Sequence, residues 1–274
     1  PSSAASDVYK RQVGNLSVLI SSCDKFSDLW NENINAYRKH WKNNKCETFL
    51  VTDKNSNWSK KGITLVVAEG QNDFPLRIKH ALNQIKTQYV LVTLDDYFLI
   101  DDVSNDKLSY LVKRMEKEKI QYLSLYNRRI TKKSKYQPIE NLNNIDLQKK
   151  YALNLYPAIW DVDFLKRTIK DNMSPWLYEV SLTKTALEED AKCMASLAGT
   201  FDILDVVRKG KVLHKAQRYF KKNNINIGNR SSISYFTEIK LFILDVISWY
   251  TPRWLFKIIK KLARKCGMTF YSED

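Results

Sequence analysis

The sequence predicts an α/β domain, a mixed and mostly parallel sheet with flanking helices, followed by amphipathic helices at the C-terminus. Three observations carry that prediction. Tyr89–Leu94 (YVLVTL) is a near-continuous apolar run, the pattern of a strand buried on both faces of a parallel sheet. Asp95 and Asp96 close the run, where a core strand has no use for them, because burying an ionised group without partners is costly. Upstream, apolar runs alternate with helical stripes in the order β-α-β-β-α-β, as in a doubly wound layer.

Residues 16–22 (LSVLISS) read as the first strand, ending at Cys23 and Asp24. Residues 26–41 place Leu29, Trp30, Asn33, Ile34, Tyr37 and Trp41 on one helical stripe. Residues 47–53 (ETFLVTD) form a second strand that also ends in an acid, and a polar loop carrying Trp58 leads to a third at 63–68. A short helix over 76–85 turns Ile78, Ala81, Leu82 and Ile85 inward before Tyr89. Beyond Ile100, Ser104 or Asn105 caps a charged amphipathic helix running to about Lys119. A strand is predicted over 122–126, a long basic loop over 128–150, a strand over 151–160 and a helix over 162–170. A further helix starts at Pro175, a hairpin turns around residues 208–211, and residues 219–230 form an Asn-rich connection.

The C-terminal part changes character. Residues 233–250 are strongly apolar but interrupted by Glu238, Lys240 and Asp245. Residues 252–265 put Trp254, Leu255, Ile258, Ile259 and Leu262 on one face, with six Lys or Arg and no acid among the remainder. That composition suits a helix lying on an anionic membrane surface; the alternative is a basic helix packed on its own domain. The expected organisation is a non-native or disordered leader over 1–14, an enzyme domain over 15–230, and a membrane-associating segment over 231–274. The leader, PSSAASDVYKRQ onward, has neither periodicity nor an apolar segment and resembles translated adapter read-through.

Composition narrows the class. A hydrophobic fraction of 44% places the chain among folded proteins, and 7 Gly with 6 Pro argue against a linker-rich one. Lys and Arg number 45 against 30 acids, a net charge of +15 that favours anionic partners. Cys23, Cys46, Cys193 and Cys266 are too scattered for a zinc pattern or a disulfide framework and fit a reducing compartment. The chemistry gathers at the strand ends, since ligands of open α/β sheets bind beyond the carboxyl ends of the strands. Asp24, Asp53 and the Asp95/Asp96 pair would line one such crevice. Two hard oxygen ligands there suit a divalent cation carrying a substrate's phosphates; the alternative is an acidic surface turn. Asp24 is the candidate for hydrogen bonds from a nucleoside's ribose or base, and Asp53 can equally cap the turn after it. In residues 174–179 (SPWLYE), a Trp, a Tyr and a carboxylate can stack on a sugar and take a proton from its hydroxyl. Those residues read alternatively as an aromatic helix start with Glu favouring the dipole.

Taken together, SSCDKFSDLW, FPLRIKHAL, YVLVTLDDYF, YPAIWDVDFL, SPWLYE and VVRKGKVL resemble, in order and spacing, bacterial GT-A glycosyltransferases. More narrowly, they resemble those of capsular-polysaccharide and lipopolysaccharide gene clusters. The resemblance covers residues 16–213 and implies a GT-A-like (Rossmann-like) fold. It also implies transfer from a nucleotide-sugar donor to a glycan or lipid-linked glycan acceptor, at the inner, cytoplasmic face of the plasma membrane. The acid pair then takes the place of the DXD motif that holds Mn²⁺ or Mg²⁺ on the donor diphosphate, although DDYF lacks the spaced form. Asp96 becomes the direct ligand, and Asp95 supports it or the donor ribose. Glu179 matches the base of inverting members. Arg77 becomes a candidate phosphate contact, with a solvated helix surface as the alternative. Lys211 and His214 fall where such enzymes place a late basic or metal-binding residue, and His214 is a third metal ligand or a structural histidine. Trp160 and Trp176 are candidates for sugar stacking, with core packing the equal alternative.

Two other classes compete. A nucleotidyltransferase also wants paired Asp and basic residues but usually opens on a Gly-rich signature, and residues 16–28 contain no Gly. A basic nucleic-acid-binding protein would concentrate its charge and carry a recognisable motif; here the charge is spread and no motif is present, so no nucleic-acid partner is expected.

Overall fold

The structure, a computed structural model, describes residues 15–54, 57–70, 73–126, 138–171, 173–239 and 243. The leader expected over 1–14 and the basic helix expected over 252–265 lie outside the described residues. Up to Leu204 the chain forms one compact unit. Its strands are β1 (Leu16–Ser21), β2 (Thr48–Thr52), β3 (Ile63–Val67), β4 (Tyr89–Leu94), β5 (Tyr97–Leu99), β6 (Tyr122–Ser124), β7 (Leu142–Asn144), β8 (Ala158–Asp161) and β9 (Cys193–Ser196). Its helices are α1 (Ser27–His40), α2 (Phe74–Leu82), α3 (Asn105–Glu118), α4 (Val162–Thr168) and α5 (Pro175–Glu188).

Eight strands make one sheet in the order β3-β2-β1-β4-β8-β6-β9-β7. The first four are parallel, with β1 in the middle of the run, paired to β2 from Val18↔Thr48 and to β4 from Leu16↔Tyr89. β8 runs antiparallel to both β4 and β6, while β6 and β9 are parallel. Burial on both faces explains the unbroken apolar runs. Val18, Ile20 and Leu91 face Trp30, Ile34 and Leu111 from α1 and α3. Leu19, Val90 and Val92 face Ile78, Phe164 and Leu182 from α2, α4 and α5. Helix starts follow local chemistry: Asp73, Ser104, Asp161 and Ser174 each accept a backbone N–H three residues on, and Pro175 sits in the first turn of α5.

Several elements differ from the sequence expectation. The strand expected over 151–160 is only Ala158–Asp161. Ahead of it, Leu153 N–H donates to Thr183 Oγ1 (3.1 Å) and Leu155 N–H to Glu179 Oε1 (2.8 Å), so helix side chains take bonds that a ladder would otherwise use. β5, β7 and β9 were not anticipated, and β7 falls inside the expected long loop.

From Asp205 onward the chain forms a second unit. Within it Val212 N–H donates to Ser231 O (3.0 Å) and Ile233 N–H to Val212 O (2.9 Å). The hairpin around 208–211 is present as β11 (Val207–Arg208) and β12 (Lys211–Val212), the strand β10 (Ile203–Asp205) preceding it. Its turn residues Lys209 (φ 52°) and Gly210 (φ 75°) are both left-handed, the requirement of a two-residue turn matched to strand twist. A helix, α6 (His214–Asn223), occupies part of the expected connection.

Candidate active site at the strand ends

The chain leaves β1 in one direction through β2 and β3, then returns to the other side of β1 as β4. That reversal opens a crevice beyond the carboxyl ends of β1 and β4, the place where such sheets bind ligands. Asp95 N–H continues the pairing to Ser21 O at 3.3 Å, which brings the carboxylate beside Ser22. Ser22 Oγ donates to Asp95 Oδ2 and accepts from the indole N–H of Trp30 at 2.6 Å. Trp30 is fully buried on α1, so the helix stripe that fills the core also aims the hydroxyl.

Arg77 reaches the same point from the other face. Its Nε donates to Ser22 O at 3.1 Å, and its side chain is only 6% exposed, which rules out the solvated-surface alternative. Asp24 N–H donates to Asp53 Oδ1 at 2.7 Å, so the two outer acids are neighbours, and Lys54 Nζ lies 3.9 Å from Asp24 Oδ2. Asp53 therefore orders the turn after β1. Cys23 sits among these groups. Burial first, then the charge of Asp95, pushes its thiol pKa up, while Arg77 opposes them.

The adjacent acids are divided by the turn between β4 and β5. Asp95 is 6% exposed and bound to Ser22, whereas Asp96 is half-buried. Beyond them Tyr97 stacks on Tyr156 (centroids 5.3 Å apart, planes 6° apart), and Tyr156 on Tyr126 (4.7 Å, 24°). Sequence reasoning missed this three-ring wall, as it missed Ser22; the signal available was Tyr156 in YPAIW and Tyr97 directly after the acids. Asn33 Nδ2 donates to Tyr97 O at 3.0 Å and holds the near end of the wall to α1.

Glu179 comes to the same edge by the antiparallel course of β8. Val92 of β4 pairs with Ala158, so the residues just before Ala158 lie beside the carboxyl end of β4. Leu155, three residues back, donates its N–H to Glu179 Oε1. Glu179 is half-buried, and its charge adds to burial in raising the Tyr151 hydroxyl pKa.

The other candidates have surroundings of their own. Trp160 is 2% exposed, its ring edge-on to Tyr122 (4.4 Å) and stacked on Phe164 (6.2 Å), so it is a core residue and not a sugar platform. Trp176 is 52% exposed in the first turn of α5. Lys211 and His214 belong to the second unit, where Lys211 is exposed on β12. His214 Nδ1 lies 2.5 Å from Glu238 Oε2 and its ring stacks on Tyr235, which accounts for it structurally.

Among the described residues no group of three or more His, Cys, Asp or Glu is placed to hold a metal by protein ligands alone. Two hard carboxylates at a strand end fit a cation that arrives with a diphosphate and completes its shell from phosphate oxygens and water.

No family model and no curated protein matches the chain. Solved structures do. The mannosyltransferase PcManGT from Pyrobaculum calidifontis, in complex with GDP-Man and Mn²⁺, is similar at a TM-score of 0.50 and 14% identity, over 79% of this chain and 65% of that one. S. aureus TarS 1-349 gives a TM-score of 0.48 at 13% identity over 68% of this chain, and its complex with UDP-GlcNAc gives 0.47 at 15% over 72%. The chain spans about three-fifths of the length of TarS 1-349. The fold is GT-A-like, a mixed and mostly parallel sheet between helices, as the sequence resemblance implied.

Proposed function

We propose that the protein is a glycosyltransferase (EC 2.4 class) that moves a sugar from a nucleotide-sugar donor to a hydroxyl of a surface glycan of the capsule, lipopolysaccharide or O-antigen type, with inversion. The observation that carries the reading is the convergence of Ser22, Arg77, Asp95 and Asp96 at the crevice between β1 and β4, with Glu179 on the same sheet edge. The likeness to a mannosyltransferase structure holding GDP-Man and Mn²⁺ supports it at the level of fold.

In this reading Asp24, in the turn that Asp53 orders, takes hydrogen bonds from the nucleoside, and Arg77 neutralises the diphosphate. Asp96, supported by Asp95, would hold Mn²⁺ or Mg²⁺ on that diphosphate, supplying Lewis-acid stabilisation of the leaving group. Glu179 accepts the proton of the acceptor hydroxyl as its oxygen bonds to the anomeric carbon. The bond from that carbon to the diphosphate oxygen breaks, and its electron pair leaves with the nucleoside diphosphate. The Tyr97–Tyr156–Tyr126 wall and Trp176 offer faces on which sugar rings stack.

The acceptor side suggests a membrane partner. Tyr235, Phe236, Ile239 and Ile243 are 68%, 78%, 56% and 50% exposed, an apolar set preceding the acid-free basic residues 252–265. That combination suits peripheral attachment to an anionic inner membrane face; no described helix is long and apolar enough to cross a membrane. A panel of UDP-, GDP-, CMP- and dTDP-sugars, screened for thermal stabilisation with and without Mn²⁺, tests the donor reading. Stabilisation by one nucleotide series supports it, and none by any series removes it. Deleting residues 251–274 should abolish sedimentation with anionic liposomes; unchanged sedimentation would place the helix on the domain instead.

A further inference from the structure

The antiparallel course of β8 brings residues 151–157 to the sheet edge that carries the strand-end acids, and they form neither helix nor strand there. Two of their backbone N–H groups are taken by side chains of α5. Leu153 N–H donates to Thr183 Oγ1 (3.1 Å) and Leu155 N–H to Glu179 Oε1 (2.8 Å). Thr183 lies one turn after Glu179, and its hydroxyl also reaches Glu179 O at 3.2 Å, so both acceptors stand on one face of the helix. Asn154 Oδ1 takes the following N–H, that of Tyr156, at 3.2 Å. The place of the Glu179 carboxylate is therefore tied to the path of residues 153–156.

A second tie comes from the Tyr156 ring, which is half-buried. It stacks on Tyr97 (centroids 5.3 Å apart, planes 6° apart) and on Tyr126 (4.7 Å, 24°). Each neighbour belongs to an ordered part of the sheet edge. Tyr97 directly follows Asp96, and Asn33 Nδ2 donates to its carbonyl at 3.0 Å. Tyr126 follows β6, where Leu125 N–H donates to Pro157 O at 3.0 Å. The acid pair has an anchor of its own in the Ser22 hydroxyl bound to Asp95. Leu155 N–H and the Tyr156 ring are adjacent along the backbone, so a displaced ring displaces the donor that holds Glu179. A general base works only within hydrogen-bond reach of its proton, and a misplacement of ~1 Å costs on the order of 10²-fold in rate.

We propose that Tyr156 is a positioning residue for Glu179. Stacked on Tyr97 and Tyr126, it fixes residues 153–156 to the turn that bears the acids, so that Leu155 N–H holds the Glu179 carboxylate ionised and in place. The use made of that carboxylate rests on the reading of Glu179 as the base, but its placement by Tyr156 can be measured without substrate.

The measurement is ¹³C NMR of the full chain labelled at its glutamate carboxyls, with the Glu179 signal identified by its loss in Glu179→Gln. An N–H donated to a carboxylate favours the ionised form, so losing it raises the pH at which the group titrates. Tyr156→Ala, and Tyr156→Leu, which keeps apolar bulk without a ring, should each raise the Glu179 midpoint by about half a pH unit or more. Tyr156→Phe keeps the ring and should titrate like the parent. Leu111→Ala, which opens a cavity in the core beside α3, should leave the midpoint unchanged. With the nucleotide-sugar that stabilises the protein in the donor panel, Tyr156→Ala should lower kcat roughly 10²-fold and leave donor KM within about threefold. The proposal is overturned if Glu179 titrates at or below the parental pH in Tyr156→Ala or Tyr156→Leu, or if Tyr156→Phe shifts as far as Tyr156→Ala. It also fails if Leu111→Ala shifts the midpoint equally, or if Tyr156→Ala keeps the parental kcat. Parental turnover in Glu179→Gln would instead remove the base reading and leave the NMR result standing.

Discussion

Replacing Ser22 by alanine perturbs the fold and the candidate site through one atom. Ser22 Oγ takes the indole N–H of the fully buried Trp30 at 2.6 Å and gives its own proton to the buried carboxylate of Asp95. Alanine leaves the Trp30 N–H without that acceptor, a cost of about 1–3 kcal/mol for a buried donor, and removes a bond to a charged group of similar worth. A net loss of about 2–4 kcal/mol lowers Tm by roughly 5–12 °C in a domain of this size. Trp30→Phe deletes the N–H while keeping an aromatic ring, so in that background Ser22→Ala should cost only the Asp95 share. Urea unfolding of the four proteins in the cycle should give a coupling energy of about 1–2 kcal/mol between the two sites. Donor affinity, titrated alongside in Mn²⁺, should fall with Ser22→Ala in both backgrounds, because the hydroxyl holds Asp95. Additivity within about 0.5 kcal/mol would refute the relay, and unchanged donor affinity in Ser22→Ala would detach it from the site.

Asp96→Ala should abolish donor binding in calorimetry with Mn²⁺ at nearly parental Tm, whereas Asp95→Ala should weaken binding less and lose stability as well, since its carboxylate is buried; equal behaviour of the two would deny the division of roles. Glu179→Gln should keep substrate binding, because an amide oxygen can still accept from Leu155 N–H, and lower turnover by ~10²–10⁴-fold; near-parental turnover moves the base elsewhere. Trp160→Ala should cost about 3–5 kcal/mol by urea unfolding, while Trp176→Ala stays within about 0.5 kcal/mol and raises acceptor KM if its ring holds a sugar. Cys23, its pKa raised by burial and by Asp95, should alkylate more slowly than a free thiol at pH 8. Its rate should keep climbing above the pH where a free thiol levels off, and donor should protect it; a free-thiol profile would contradict the burial.

What was legible in the sequence follows from how each feature is encoded. Strands buried on both faces leave unbroken apolar runs, so β1, β2 and β4 and the acids that end them could be read directly. Helix starts are local as well, and Ser104 and Pro175 announced theirs. β5, β7 and β9 are three or four residues long, and partners rather than composition hold them: Cys193–Ser196 pairs on one side with β6 and on the other with β7. The candidate site shows the same divide. Asp24, Asp53, Asp95 and Asp96 could be placed because a strand end is a position along the chain. Their supports could not, because Ser22 meets Asp95 across 73 residues and Arg77 meets Ser22 across 55. Arg77 in particular lies in a helix whose exposed and buried faces are both partly polar. The closeness of β1's exit lets its guanidinium turn inward to the Ser22 carbonyl. The adjacent DD pair is intelligible for the same reason. The turn into β5 sends the first carboxylate to the Ser22 hydroxyl and leaves the second half-buried. The first carboxylate is thereby held in the fold by Ser22, and the proposed reading gives the metal-binding role to the second.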